Sequence, residues 1–204
     1  MNANLAAKRM LKSLVVMAVA GTLSVAEARS ALAQVSVQEL GVLLAEDADD
    51  DWTEAERRLL ARLLAGDTRP AVRFTLAAAL SRTGIVLCAS EELELIAAIA
   101  RTPEEPVRRA AAVALGSHLE RRAPLERLQI LAEWALAGDP WTRDVAARAA
   151  AGQLELPAAN AVLEHLLKDP VGEVRDRAHE AWLARYGSAP PTAAPAPAPA
   201  PAKD

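Results

Sequence analysis

Aromatic residues are scarce: one Phe, one Tyr and four Trp make up 3% of 204 residues. Any core must therefore be aliphatic, and because alanine supplies much of the 52% apolar content, it is thin per residue. Cysteine is nearly absent. Cys88 stands alone, which excludes an intramolecular disulfide and any CxxC metal or redox site. Set in Ile85-Val86-Leu87-Cys88-Ala89, it reads as a small buried apolar residue. Alternating apolar and polar stretches are missing, which argues against a sheet. No nucleophile elbow, phosphate loop or glycine-rich fingerprint occurs. No Lys/Arg-rich stretch interleaves with aromatics and the net charge is −4, so nucleic acid is not the expected partner.

What is present is a repeat. Arg73, Arg108, Arg143 and Arg175 each begin an alanine-rich run with the same apolar spacing. With the arginine as position zero, positions −1, +3, +6 and +7 are Val72, Leu76, Ala79, Leu80; Val107, Ala111, Ala114, Leu115; Thr142, Ala146, Ala149, Ala150; and Val174, Ala178, Ala181, Trp182. These positions share one helical face and define the buried stripe of a second helix, B, in each unit. Before each B helix lies a turn with Asp or Thr and Pro, such as Asp67-Thr68-Arg69-Pro70, Asp139-Pro140 and Asp169-Pro170, residues suited to capping and starting a helix. Upstream are leucine-rich A helices, expected over about Thr53–Ala65, Glu91–Ala100, Leu125–Ala137 and Pro157–Lys168. Gly66 and Gly138 are expected as left-handed C-terminal caps. The expected fold is an all-α solenoid of about four helix pairs, each too small to bury its own apolar face.

The run Asp-Pro-x-x-x-Val-Arg followed by Ala-Ala-x-Ala-Leu resembles the HEAT repeat family in its short bacterial form, over about residues 52–187. Asp169-Pro170-Val171-Gly172-Glu173-Val174-Arg175 is the nearest copy. In the third unit Asp139 lies four residues before its arginine and Thr142 replaces valine, so a different turn geometry is expected there. The resemblance implies a concave surface lined by B helices and no single activity. It also implies a structural ladder in which Arg73, Arg108, Arg143 and Arg175 bond acidic turn groups of their own or the next unit, with Asp67, Asp139 and Asp169 as the acids.

The two ends read differently. Lys8, Arg9 and Lys12 precede an apolar segment from Leu14 to Ala26, followed by Ala26-Glu27-Ala28 and Ala31-Leu32-Ala33. That order is the pattern of an export leader, with cleavage after Ala28 or Ala33; the other reading is an alanine-rich first helix of the solenoid. Removing residues 1–33 takes away four positive charges and one negative charge, shifting the net charge from −4 to −7. The expected location is periplasmic or secreted, with no membrane span after cleavage. Residues 34–51 are expected to hold a capping helix from Ser36 to Glu46, with a Ser36–Glu39 capping box, and an acidic linker. The linker's Glu46, Asp47, Asp49, Asp50 and Asp51 do not match an EF-hand, because Trp52 and Arg58 occupy its glycine and glutamate positions. Residues 188–204 form a Pro/Ala-rich tail, expected to be extended, solvated polyproline II; the alternative is a ligand for an aromatic groove or a spacer toward an envelope component.

The candidate binding surface is the face of the B helices opposite the stripe. Phe74 is the sole phenylalanine, and Arg109, Val113, Asp144, Arg148, Asp176 and Glu180 follow it in successive units. An aromatic beside arginine is a common hot-spot composition; the alternative is that Phe74 packs beneath the N-terminal helix. His118, His165 and His179 make no metal-ligand spacing. The expectation is an exported, non-enzymatic module that needs no cofactor and holds a protein or peptide. The alternative is a HEAT-like enzyme, either a tetrapyrrole lyase or a metal-dependent hydroxylase. The hydroxylases carry paired His-Glu motifs, and here His-Glu occurs once, at His179-Glu180.

Overall fold

The computed structural model describes residues 3–45, 52–82, 89–153 and 159–190. Among these, every regular element is an α-helix: α1 (Ala3–Val19), α2 (Val25–Leu32), α3 (Val37–Ala45), α4 (Glu54–Ala65), α5 (Pro70–Ser81), α6 (Ala89–Ala100), α7 (Glu105–Glu120), α8 (Pro124–Ala135), α9 (Pro140–Gly152), α10 (Ala159–Leu166) and α11 (Gly172–Tyr186). Cys88, the acidic run from Glu46 to Asp51, the start of the last A helix at Pro157 and most of the Pro/Ala tail lie outside the described residues.

Local chemistry sets the helix starts. Thr53 caps α4 in a reciprocal box: its amide donates to Glu56 Oε2 at 2.6 Å and its Oγ1 accepts from the Glu56 amide at 3.3 Å. Ser36 and Glu39 do the same for α3, at 3.0 and 3.2 Å. Proline occupies the first turn of α5, α7, α8 and α9, where its missing amide costs nothing. The C-terminal caps differ from expectation. Gly66 has φ −87°, and the positive-φ glycines of the described residues are Gly21 and Gly187, not Gly66 or Gly138. At Gly138 a side chain does the capping instead: Arg143 Nη1 donates to the Ala137 and Gly138 carbonyls at 2.8 and 3.2 Å.

Helices α4/α5, α6/α7, α8/α9 and α10/α11 form the four A/B pairs, and the B helices α5, α7, α9 and α11 stack in sequence. All sixteen stripe positions are buried. One contiguous apolar core runs from Leu11 to Trp182. The protein is thus an all-α solenoid: neighbouring pairs, not individual ones, close the core.

The N-terminal helices pack against the first repeat. α1 and α2 pack on α4, and α3 packs on α5. α1 lies against α2, α3 and α4 and takes the terminal position expected of α3. Leu11, Val15, Ala28 and Leu32 are buried in the shared core. A polar clasp completes the junction. Arg69, held by Asp67 at 3.0 and 2.8 Å, donates from Nη1 to the Val35 carbonyl at 2.6 Å and from Nη2 to the Leu32 carbonyl at 3.1 Å, satisfying carbonyls at and just beyond the α2 terminus. Arg69→Ala is expected to lower the unfolding free energy in urea by about 1–3 kcal/mol, and by less in a chain beginning at Gln34, which lacks the Leu32 carbonyl. Equal losses in the two chains would show that the clasp onto α2 adds nothing.

Candidate functional site

Three of the four repeat arginines, Arg108, Arg143 and Arg175, leave the B helix toward the turn before it. Arg108 Nη1 donates to the Thr102 and Pro103 carbonyls at 3.1 and 2.6 Å, and Arg175 Nη1 to those of Asp169 and Pro170 at 2.6 and 3.0 Å. The rest of the fork reaches forward. Arg73 pairs with Glu104 of the next turn at 3.2 Å. Arg143 grips Asp169 through two bonds, at 2.6 and 3.1 Å. Burial pushes the Asp169 carboxyl up, but the Arg143 fork and the Val171 amide outweigh it and hold Asp169 below the usual carboxylate range. Asp67 serves Arg69 rather than Arg73.

The third unit is different because its aspartate is already engaged. Asp139 caps α9, accepting from the Thr142 amide at 2.8 Å and the Thr142 hydroxyl at 2.7 Å. The displaced aspartate and the threonine in place of valine therefore form one device. Arg108 turns instead to Asp144, at 2.9 Å, and both side chains are only 2% exposed. This corrects the expectation that Asp144 lies on the open face: it is buried as the counter-ion of Arg108. Arg148 Nε and Arg177 Nε also donate to Asp144, at 3.0 and 3.2 Å, and Arg108 Nη2 bonds Glu173. One aspartate thereby ties α7, α9 and α11 together.

Above this cluster the B helices leave an open groove. A depression of about 500 Å³ between α5 and α7 is lined by Phe74, Ala78, Ser81, Pro106, Arg109 and Val113. A second, of about 550 Å³, continues over Val113 and Gly116 to Arg148, Gly152 and Arg177. The two share Arg109 and Val113. Phe74 is 46% exposed and Val113 57%, so Phe74 does not pack beneath the N-terminal helix. Asp176 and Glu180 are exposed on α11 but line neither depression, and Glu180 pairs with Arg177. Of the expected surface, Phe74, Arg109, Val113 and Arg148 converge on the groove. Arg177, at position +2, was not anticipated; its length carries it sideways onto the two carboxylates of α7 and α9.

Away from the groove, His118 is fully buried and its Nδ1 lies 3.0 Å from Glu92 Oε2. Arg121 bonds the same carboxylate. Burial pushes Glu92 up, but His118 and Arg121 prevail and hold it below its ordinary range. His165 and His179 are exposed, and the described residues contain no group of three or more His, Cys, Asp or Glu able to hold a metal. None of the described helices is long and apolar enough to cross a membrane.

The chain defines a helical-repeat solenoid with an open B-helix groove. No protein-family model and no curated protein matches it. Among solved structures it is similar to an engineered protein, with 18% identity over 88% of this chain and 90% of that one and a TM-score of 0.37. It is also similar to a designed armadillo repeat protein, with 18% identity over 87% and 92% and a TM-score of 0.33. Likeness at that level carries no argument about activity, and the solenoid assignment rests on the helix pairs above.

Asp144→Ala is expected to destabilise the fold by about 3–5 kcal/mol, because it strands Arg108 in the interior. Asp176→Ala, at an exposed site, is expected to stay within about 0.5 kcal/mol. Urea unfolding of the two variants compares them directly, and similar losses would refute the assignment of Asp144 as the buried counter-ion.

Proposed function

We propose that this protein is a non-enzymatic, HEAT-like binding module that holds a protein or peptide segment along the groove of its B helices. The observation that carries this reading is the exposed pair Phe74 and Val113, set in a concave surface beside Arg109. A half-exposed aromatic next to an arginine in a depression is the arrangement that anchors protein interfaces. Gly116 adds support. It sits inside α7 on the groove, where glycine costs about 0.5–1 kcal/mol relative to alanine, yet a Cβ there would meet nothing within 4 Å. No contact within the described chain requires it, whereas a partner's backbone approaching the groove floor would.

Selection of a random peptide display library against the wild-type chain is expected to enrich sequences whose binding falls roughly thirtyfold, about 2 kcal/mol, on Phe74→Ala. Gly116→Ala is expected to raise stability by about 0.5–1 kcal/mol while weakening the same peptides. Failure to enrich any sequence, or affinity indifferent to Phe74, would refute the groove as the binding surface.

We further propose that the module works outside the cytoplasm and that residues 1–33 act as its leader, with the tail as a spacer toward the envelope. The charge–apolar–small-residue order supports this. The two small-x-small sites, after Ala28 and Ala33, are both candidates, because a leader is removed before the chain folds. Intact-mass measurement on the protein recovered from a bacterial periplasm is expected to give a chain beginning at Arg29 or Gln34. A full-length chain confined to the cytosol would show that α1 and α2 are permanent.

A further inference from the structure

We propose that the arginine end of the groove receives the C-terminal carboxylate of the bound peptide, and that Glu105 occupies this place until the ligand displaces it. This deepens the groove reading and rests on it.

The arginines there have two kinds of acceptor. Arg148 and Arg177 are fixed from below: their Nε atoms donate to Asp144, which is buried and shared with Arg108. Their Nη2 atoms face upward and meet Glu105 Oε1 at 3.3 and 3.4 Å. Arg109 reaches the same oxygen at 3.1 Å. Three guanidinium groups from three helices thus converge on one oxygen of a half-exposed carboxylate, at separations longer than the 2.7–2.9 Å of a closed charge-assisted bond. Arg109, Arg148 and Arg177 all line the second depression and Glu105 lines the first, which shares Arg109 with it, so the cradle opens into the groove where the two meet. Two of its forks, Arg148 and Arg177, are held in place by Asp144, which lowers the ordering cost for a ligand. Bonds from Arg109 and Arg148 lower the Glu105 carboxyl from its ordinary range, so at neutral pH it is an anionic occupant that another carboxylate can replace.

The floor identifies which carboxylate. Ala112, Gly116, Ala149 and Gly152 line it. These small residues admit main chain closely, with Ser117, Glu120 and Gln153 as the other polar lining groups, and the charged group that main chain itself carries is its carboxyl terminus.

Three probes of equal length test this: acetyl-Ala-Leu-Ala with a free carboxylate, its amide, and acetyl-Ala-Leu-Asp amide, which carries a side-chain carboxylate only. Binding is read from the arginine Nε–Hε resonances. The free acid is expected to shift the Arg109 and Arg148 signals saturably and to bind about tenfold tighter than either amide. Glu105→Gln should tighten the acid severalfold and leave the amides unchanged. Arg109→Gln, at a 68%-exposed side chain, should weaken the acid without unfolding the chain. The proposal is overturned if acid and amide bind alike, if the aspartate amide binds best, if none of the probes binds, or if Glu105→Gln leaves the acid's affinity unchanged. Enriched display peptides that still depend on Phe74 would leave the groove standing in each of these cases, which separates failure of the cradle from failure of the groove.

Discussion

The solenoid depends on the B-helix guanidinium: Arg108 and Arg143 each close their own turn and grip the next unit, Arg73 makes the forward contact and Arg175 the closing one. A short helix pair ends with carbonyls that its own amides cannot satisfy. In three of the four units the arginine donates one nitrogen to two of those carbonyls. Because a guanidinium offers several donors in a rigid plane, the remaining nitrogens can bond an acid of the following unit. Turn geometry and stacking are therefore fixed by the same side chain. The alanine stripe then allows the B helices to approach closely, and the sixteen buried positions supply the apolar contact that a single pair lacks.

The same economy shapes the open face. Since Asp139 is consumed in capping α9, Arg108 must find its counter-ion elsewhere. It takes Asp144, and burial of that aspartate draws Arg148 and Arg177 inward behind it. A change in one turn therefore propagates into an organised patch of guanidinium groups two helices away. The apolar part of the groove, around Phe74 and Val113, lies beside this patch and shares Arg109 with it.

The parts legible in the sequence were those governed by short-range periodicity. The B stripe follows the 3.6-residue period, and each of its positions is buried. The Ser36 cap rests on a contact three residues away and falls where its chemistry puts it. The misread parts depend on long-range partners. Gly138 looks like a left-handed cap only until Arg143 is seen covering its carbonyl. Asp144 occupies a helix position that faces outward by spacing, yet its partner Arg108 lies 36 residues away. Arg177 escaped notice because spacing places a Cα, whereas a long side chain acts several ångströms from it. The N-terminal segment is ambiguous for another reason: an export leader and an A helix both need a short apolar run flanked by charge, and composition cannot separate them.

Arg175 differs from the other ladder arginines. It closes its own turn, but no forward acid meets it among the described residues, and it is exposed. The last unit thus presents a connector of the kind that joins its predecessors. An additional helix pair grafted after Tyr186, with an aspartate in its turn at the register Asp169 holds toward Arg143, would find its coupling half already in place, while exposed α11 residues such as Asp176, His179 and Glu180 would need apolar replacements wherever the new pair covers them.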